Sequence, residues 1–426
     1  MSKIGDYVDA YGDGIHGTPN YSDNGEYYFI NGHNIQNGKI TITNDTKKID
    51  EREYQKIKRP LSDNTILLSI NGTLGNIAFY TGEPVALGKS VCYLNIKNRY
   101  NKAFIKYILS TKEFQKYIQL VAHGSTIKNL APSQIVDYEF PEVSENNQKK
   151  IASCLGVIDN KIANNTAIST ELESLARTIY NYWFLQFDFP DENGRPYKSS
   201  GGKMVWNEAL KREIPEGWTV GTFSDTILMS KNGDWGEEKI KGHFTHKVRC
   251  LRGADFPAVS GNDKLVAPYR YILEKNTNKI LAPGDIIIEI SGGSPTQSTG
   301  RSCLVTAKTL ERFGEDVITS NFCQAVTLKH IIYSEWFYLT WKALYDNGIF
   351  FNYEGKTTGI KNLLFDTVIN QILIVIPPRC IMNIFHSLLY DLFEKEQANN
   401  IENDQLSSLR DFLLPLLMNG QVTIKD

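Results

Sequence analysis

The stretch GSTIKNL at positions 124–130 returns as GKTTGIKNL at 355–363, and an apolar, strand-like run follows it both times. The two Ile-Lys-Asn-Leu copies lie 233 positions apart (360 − 127), about half of the 426 residues. A repeat on this scale constrains the fold more than any local pattern, because one module must be built twice and joined. The correspondence extends further. IGDYV (4–8) matches FSDTI (223–227), with Asp6 against Asp225 at an offset of 219. LSDNTILLSI (61–70) matches LAPGDIIIEI (281–290) at an offset of 220. The offset later grows by 13 (233 − 220), which places an insertion in the Gly/Ser-rich SGGSPTQSTGRS (291–302), against the shorter NGTLGN (71–76). Surface loops absorb insertions and often carry recognition.

Each copy has the same order of parts. Short β-branched and aromatic runs broken by Gly, Asn and Pro read as strands. A short helical stretch follows, at 101–119 and 334–346; then come the repeated phrase and a long helix. The first long helix, read over 145–184, places Ile151, Leu155, Ile158, Ile162, Asn165, Ile168, Leu172, Leu175, Ile179 and Tyr182 at alternating steps of about four and three. That is the spacing of a coiled-coil seam, with Asn165 as a polar residue able to fix register. The second, over 381–414, carries Leu388, Leu392, Ile401, Leu406, Leu409 and Phe412, and Pro415 should end or kink it. Such stripes require burial against each other or a partner. The segment 188–218, rich in Gly, Pro, Ser and charge, reads as an exposed connector.

The bulk numbers suit an ordinary globular chain: 41% hydrophobic, 22% charged, net charge −2. No apolar run reaches membrane-spanning length and no signal-peptide pattern opens the sequence, so a cytoplasmic chain is expected. The six cysteines are scattered without a C-x-x-C pair, as in a reduced compartment, and no metal site is expected. GEPVALGKS (82–90) has five residues between its glycines where a phosphate-binding loop has four. His243 and His246 lack a third ligand nearby in sequence, and neither an adenine-methylase motif nor a cofactor-binding glycine loop is present. The pattern favours a binding protein over an enzyme. Candidate phosphate contacts are Lys47 and Lys48 in a mixed-charge run, and the hydroxyls and lysines of the repeated phrase. The latter are Ser125, Thr126 and Lys128 in one copy, and Lys356, Thr357, Thr358 and Lys361 in the other. The same hydroxyls would equally suit a turn that caps a helix.

At GRPYKSSGGKMVWNEALKREIPEGW (194–218) and GSTIKNLAPSQIVDYEFPEVSENNQKKI (124–151) the chain resembles the specificity subunits of type I restriction–modification enzymes, and the likeness covers nearly all of it. It departs in the Pro-rich run before each helix: copy one has only Pro141, copy two Pro377-Pro378, which leaves the helix start open by a few residues. The resemblance implies an α+β fold in which two duplicated β-rich target recognition domains are joined by two long antiparallel coiled-coil helices. It assigns 1–143 and 214–378 to the recognition domains, 144–187 and 379–426 to spacer helices, and 188–213 to a connector. Each domain would read half of a bipartite double-stranded DNA target. The chain itself would be non-catalytic. It would dock two methyltransferase subunits, which use S-adenosylmethionine, and restriction/translocase subunits, which use ATP and Mg. The seam residues would then serve the subunit interface. Asn71 and Thr73 in copy one, and Ser294, Thr296, Gln297 and Arg301 in copy two, would be base readers, Arg301 foremost because arginine pairs with guanine. Two alternatives are a coiled-coil adaptor or decoy that gathers partners without reading DNA, and an enzyme of unrecognised type.

Overall fold

The computed structural model describes the whole chain apart from residues 37, 125, 126, 262, 295, 357–359, 425 and 426, with Lys356 described by its backbone alone. The chain forms two compact units, one of residues 1–161 with 406–426 and one of residues 162–405.

In the first unit a four-stranded antiparallel sheet has the order β1-β7-β4-β5, from β1 (Val8–Asp13), β4 (Thr65–Asn71), β5 (Thr73–Phe79) and β7 (Val91–Ile96). A smaller sheet has β2 (Tyr27–Ile30) between antiparallel β3 (Lys48–Ile49) and parallel β6 (Val85–Leu87). The second unit repeats this strand for strand. Its large sheet is β8-β14-β11-β12, from β8 (Ile227–Asn232), β11 (Ile286–Glu289), β12 (Ser302–Leu304) and β14 (Cys323–Leu328). Its small sheet sets β9 (Phe244–Leu251) between antiparallel β10 (Tyr269–Leu273) and parallel β13 (Val317–Thr319).

The apolar runs TILLSI and DIIIEI form the middle strands because they must be buried on both faces. Ile66, Leu68 and Ile70 enter the core that holds the helices Lys102–Ser110 and Lys112–Val121, while Leu67 enters the one under the small sheet. Ile286 and Ile288 likewise face the helix Ser334–Asp346, and Ile287 faces the other way. The close approach of strands is duplicated too. A Cβ at Gly14 would collide with the backbone at Leu87, and one at Gly233 with the backbone at Ser320, so both copies keep glycine there.

Register corrects the location of the insertion. Ile66 pairs with Phe79 and Ile286 with Leu304, so the offset rises from 220 (286 − 66) to 225 (304 − 79) across the loop 291–302. It reaches 232 at the small sheets, where Val85 and Val317 hold the same place (317 − 85). The Gly/Ser loop therefore holds only part of the extra length. The rest lies around a helix, Ala307–Phe313, between β12 and β13, and the first unit has no helix between β5 and β6.

The long helices are α1 (Glu145–Tyr180), continued by a π-helical turn over Asn181–Leu185, and α2 (Arg379–Met418). They run antiparallel within each unit. In the first, Arg410 reaches Asp159 at 3.0 Å, and Asp159 also takes Lys106 at 2.5 Å and the Tyr107 hydroxyl at 2.8 Å. In the second, Asn165 donates to Glu402 (2.7 Å) and Asn403 (3.0 Å), and Asn399 donates to Ser169 (3.3 Å). Pro415 does not end α2: the last turn carries Leu414, Leu417 and Met418 into the first unit's core, and that packing outweighs one missing N–H bond.

The inward-facing row follows the expected spacing through Ile151, Leu155, Ile158 and Asn165, with Ile162 partly buried, and then departs from it. Ser169, Ala176 and Tyr180 turn inward, while Ile168 and Leu175 are nearly half exposed. A helix of 3.6 residues per turn drifts against a strict heptad, so the inward row slips by one residue. Leu172 and Ile179 stay partly buried. On α2, Phe385, Leu389 and Phe393 face inward, Leu388 and Leu409 are exposed, and Leu392 and Leu406 are partly buried. The segment 188–213 is folded as well: Phe189 stacks on Tyr197 at 4.6 Å, and a hairpin pairs Met204–Asn207 with Arg212–Pro215.

Two expectations follow. Asn165→Ala removes two hydrogen bonds from a buried row and should cost about 1–3 kcal/mol, measured by urea unfolding. Asn165→Leu with Asn403→Leu should recover most of that loss. Glu396 on α2 is 8% exposed, and burial, reinforced by the Glu173 carboxylate, pushes its carboxyl up to about 8. The folded state then binds a proton that the unfolded state releases above the ordinary carboxylate range. Glu396 should therefore cost no stability below about pH 4.5 and a growing amount as pH rises toward 8. Melting scans should show Glu396→Gln gaining on the wild type over that interval.

Candidate nucleic-acid interface

The repeated phrase has the same structural place in both units. In the first it forms a bridge: Asn129 faces Asn71 at the end of β4, Gly72 donates to the Lys128 carbonyl, and Leu130 donates to the Ile70 carbonyl. In the second, the strand Lys361–Leu363 pairs with Ser291–Gly292 just beyond β11, and Leu363 donates to the Ile290 carbonyl. A side-chain link accompanies each bridge, Asn71 to Asn129 at 3.3 Å and Ser291 to Asn362 at 2.5 Å. The phrase therefore ties the loop after the middle strand to the chain that leads into a long helix. Gly72, at φ +73°, makes the tight β4–β5 turn possible.

These loops hold the candidate contacts. Thr73 is exposed, and Ser294 lies in a small turn with Thr296 and Gln297, its backbone paired to Gln297 and its hydroxyl 3.3 Å from that of Thr296. Lys128 bends back to the Gln119 carbonyl (2.9 Å) and side chain (3.1 Å). Lys361 pairs with the partly buried Glu354 at 2.9 Å and lies over the Phe351 ring, and Glu354 also accepts from the Thr299 backbone. Ser125, Thr126, Thr357 and Thr358, and the side chain of Lys356, lie outside the described residues.

Arg301 departs from the free guanine reader that the loop composition suggested. Its fork closes on Glu289 with bonds of 2.7 and 2.8 Å, and Glu289 is 5% exposed. The pair holds the Arg301 guanidinium above its ordinary range. A guanine contact would have to break a buried bidentate pair, so Arg301 serves first to brace β11 against β12. Lys47 is exposed on the small-sheet side, and Lys48 lies over the Tyr28 ring at 5.2 Å. Sequence reasoning missed Asn129 and Asn362, although the repeated phrase contains both. It also missed the second unit's small-sheet cations, Lys247 and Arg249. Their signal was the alternation in THKVRCL, hidden by its lack of a matching phrase in copy one.

Among the described residues, no group of three or more His, Cys, Asp or Glu is placed to hold a metal ion, and no helix is long and apolar enough to cross a membrane.

Residues 1–174 match the family of type I restriction modification DNA specificity domains. The chain is similar to the specificity subunit of the type I restriction enzyme MjaIX of Methanocaldococcus jannaschii, 27% identical over 399 residues, or 91% of this chain and 84% of that protein. It is similar to the HindI specificity subunit of Haemophilus influenzae, 21% identical over 355 residues, or 75% and 77% of the two chains. Its fold resembles the crystal structure of the type I restriction-modification S subunit from M. genitalium, with a TM-score of 0.55 at 18% identity, covering 98% of this chain and 95% of that one.

Arg301→Ala should leave Glu289 charged and buried without its partner, costing about 3 kcal/mol. Adding Glu289→Gln should return much of that loss. Urea unfolding of the two variants measures both changes, and a large loss in the single variant with recovery in the double is the expected outcome.

Proposed function

We infer that this chain, a DNA specificity subunit of the type I restriction–modification family, reads a bipartite target, one half with each unit. The supporting observation is the strand-for-strand repetition of the two units, each with its phrase tied to the loop after the middle strand. Two copies of one reader suit two half-sites, and α1 and α2 act as the spacer. Phosphate contacts would fix each unit's register, and loop side chains would read base edges in the grooves. Asn71, Thr73, Ser294, Thr296 and Gln297 lie in the loops suited to that second task.

The chain acts as a non-catalytic subunit. Methylation, with S-adenosylmethionine, belongs to two methyltransferase subunits, and cleavage, with ATP and Mg, to restriction subunits, all in the cytoplasm. A docking face for the methyltransferase is available in the second unit. Ile168 and Leu175 on α1 and Tyr182 in the π-helical turn that continues it recur every seven residues and are 46%, 47% and 49% exposed. One exposed apolar residue is ordinary, but a row at heptad spacing is the form a helix presents to a partner.

Mapping methylated adenines in a host that expresses this chain with its methyltransferase should give one motif of two specified blocks and an unread gap. A single unbroken block would overturn the two-reader assignment. Leu175→Asp with Ile168→Asp should leave the melting temperature of the isolated chain within a few degrees and abolish co-purification of the methyltransferase.

A further inference from the structure

The small sheets carry a second correspondence between the units. Register makes Tyr28 and Arg249 equivalent: Tyr28 lies opposite Val85 on one side and Lys48 on the other, and Arg249 lies opposite Val317 and Tyr269. In the first unit Lys48 lies over the Tyr28 ring at 5.2 Å. In the second the Arg249 guanidinium lies 3.6 Å from the Tyr269 ring centre, and Lys247 covers that ring from 4.0 Å. The two residues have exchanged strands, yet a cation on a tyrosine survives at the same cross-strand position. A brace conserved only as a pairwise contact would keep each residue on its own strand. Retention of the combination with the residues exchanged points to what the sheet presents outward. A flat ring with a cation and a phenolic hydroxyl suits a sugar–phosphate backbone.

The two sites differ in their anions. Among the described residues, no carboxylate lies within 4.0 Å of the Lys47 or Lys48 ammonium. In the second unit Glu315 reaches Lys247 at 3.1 Å and Arg249 at 3.8 Å, and Asp316 reaches His246 at 2.8 Å. Glu315 and Asp316 follow the helix Ala307–Phe313 and hold the places of Glu83 and Pro84 in the first unit, where Glu83 instead accepts from the Thr81 backbone and hydroxyl at 2.8 and 2.7 Å. The fit is incomplete: Arg249 Nε and Glu315 Oε2 are buried and neither has a hydrogen-bond partner. Arg249 is otherwise held by the Ala267 carbonyl (2.9 Å) and the Tyr269 hydroxyl (2.7 Å).

We propose that the cation–tyrosine pair on each small sheet contacts the DNA sugar–phosphate backbone, and that in the second unit Glu315 is an internal anion which a phosphate displaces. This rests on the reading of the chain as a DNA specificity subunit. No bond is made or broken; one ion pair replaces another.

The test uses the chain assembled with its methyltransferase, and duplexes of the methylated motif and of a scrambled sequence, bound over a range of salt. Lys247→Ala and Lys48→Ala should each flatten the slope of log affinity against log salt by about 0.9. Both should weaken the two duplexes alike and leave the methylated motif unchanged. Glu315→Gln should steepen the slope and tighten binding, the gain growing about threefold from the higher to the lower end of a fourfold salt range. Arg249→Lys, which keeps the charge, should keep the slope. Unchanged slopes for Lys247→Ala and Lys48→Ala beside normal wild-type methylation overturn this inference alone, as does a changed motif, which would make the residues base readers. Weaker binding by Glu315→Gln also overturns it, by showing Glu315 to be a brace. A wild-type complex that methylates no defined sequence overturns the parent reading and this inference with it.

Discussion

Ile286 and Ile288 point into one core and Ile287 into another, and in the first unit Ile66, Leu68 and Leu67 do the same. A strand buried on both faces needs cover on both, and each unit is organised around supplying it. The cover on one side is a pair of helices or a single long one, and on the other a three-stranded sheet. Each such side chain contributes about 1.5–3 kcal/mol by leaving water, so the middle strand cannot shift register without exposing a row of them. The loop after the strand is fixed as a result. The repeated phrase pairs with the start of that loop and holds it to the strand.

The long helices follow a different rule. Their ends are apolar and sit in the two cores, with Leu155, Leu414 and Leu417 in one and Tyr180, Phe385 and Leu389 in the other. Between these stretches polar groups face inward: Asn165, Ser169, Asn399 and Asn403 in the second unit, and Asp159 with Arg410 in the first. Apolar packing tolerates a slide of one turn, whereas hydrogen bonds between named amides do not. Asp159 binds Lys106, Tyr107 and Arg410 together, and these partners hold its carboxyl below the ordinary range against the opposing effect of burial. Helix alignment is thus set by polar pairs and helix anchorage by apolar ones.

The duplication, the strands of each middle sheet and the two helices were legible in the sequence, because each rests on a period or a repeated phrase. Asn165 was legible as a polar interruption in an apolar row. What the sequence hid depends on contacts distant along the chain. Leu175 looked inward by heptad count, yet the helix drift chose Ala176, a small residue with no hydropathy signal. Pro415 looked like a terminus, but Leu417 and Met418 beyond it are held in a core. Arg301 looked free in a Gly/Ser loop, and its partner Glu289, twelve residues earlier (301 − 289), appeared only as part of a strand. The cation–tyrosine pairs were hidden most completely, since equivalent positions carry different residues and only strand register aligns them.

The second unit is one unbroken segment, 162–405, whereas the first is closed by residues from both sides of it. Leu414, Leu417 and Met418 complete a core whose other members begin at Ile4. During synthesis the ribosome therefore delivers everything the second unit needs before it delivers the final helical turns that the first requires. The half begun earliest is finished last. Until then Leu155, Ile151 and their neighbours lack part of their cover. A chain released early would carry a closed second unit and an open first one, with apolar surface available to chaperones and proteases.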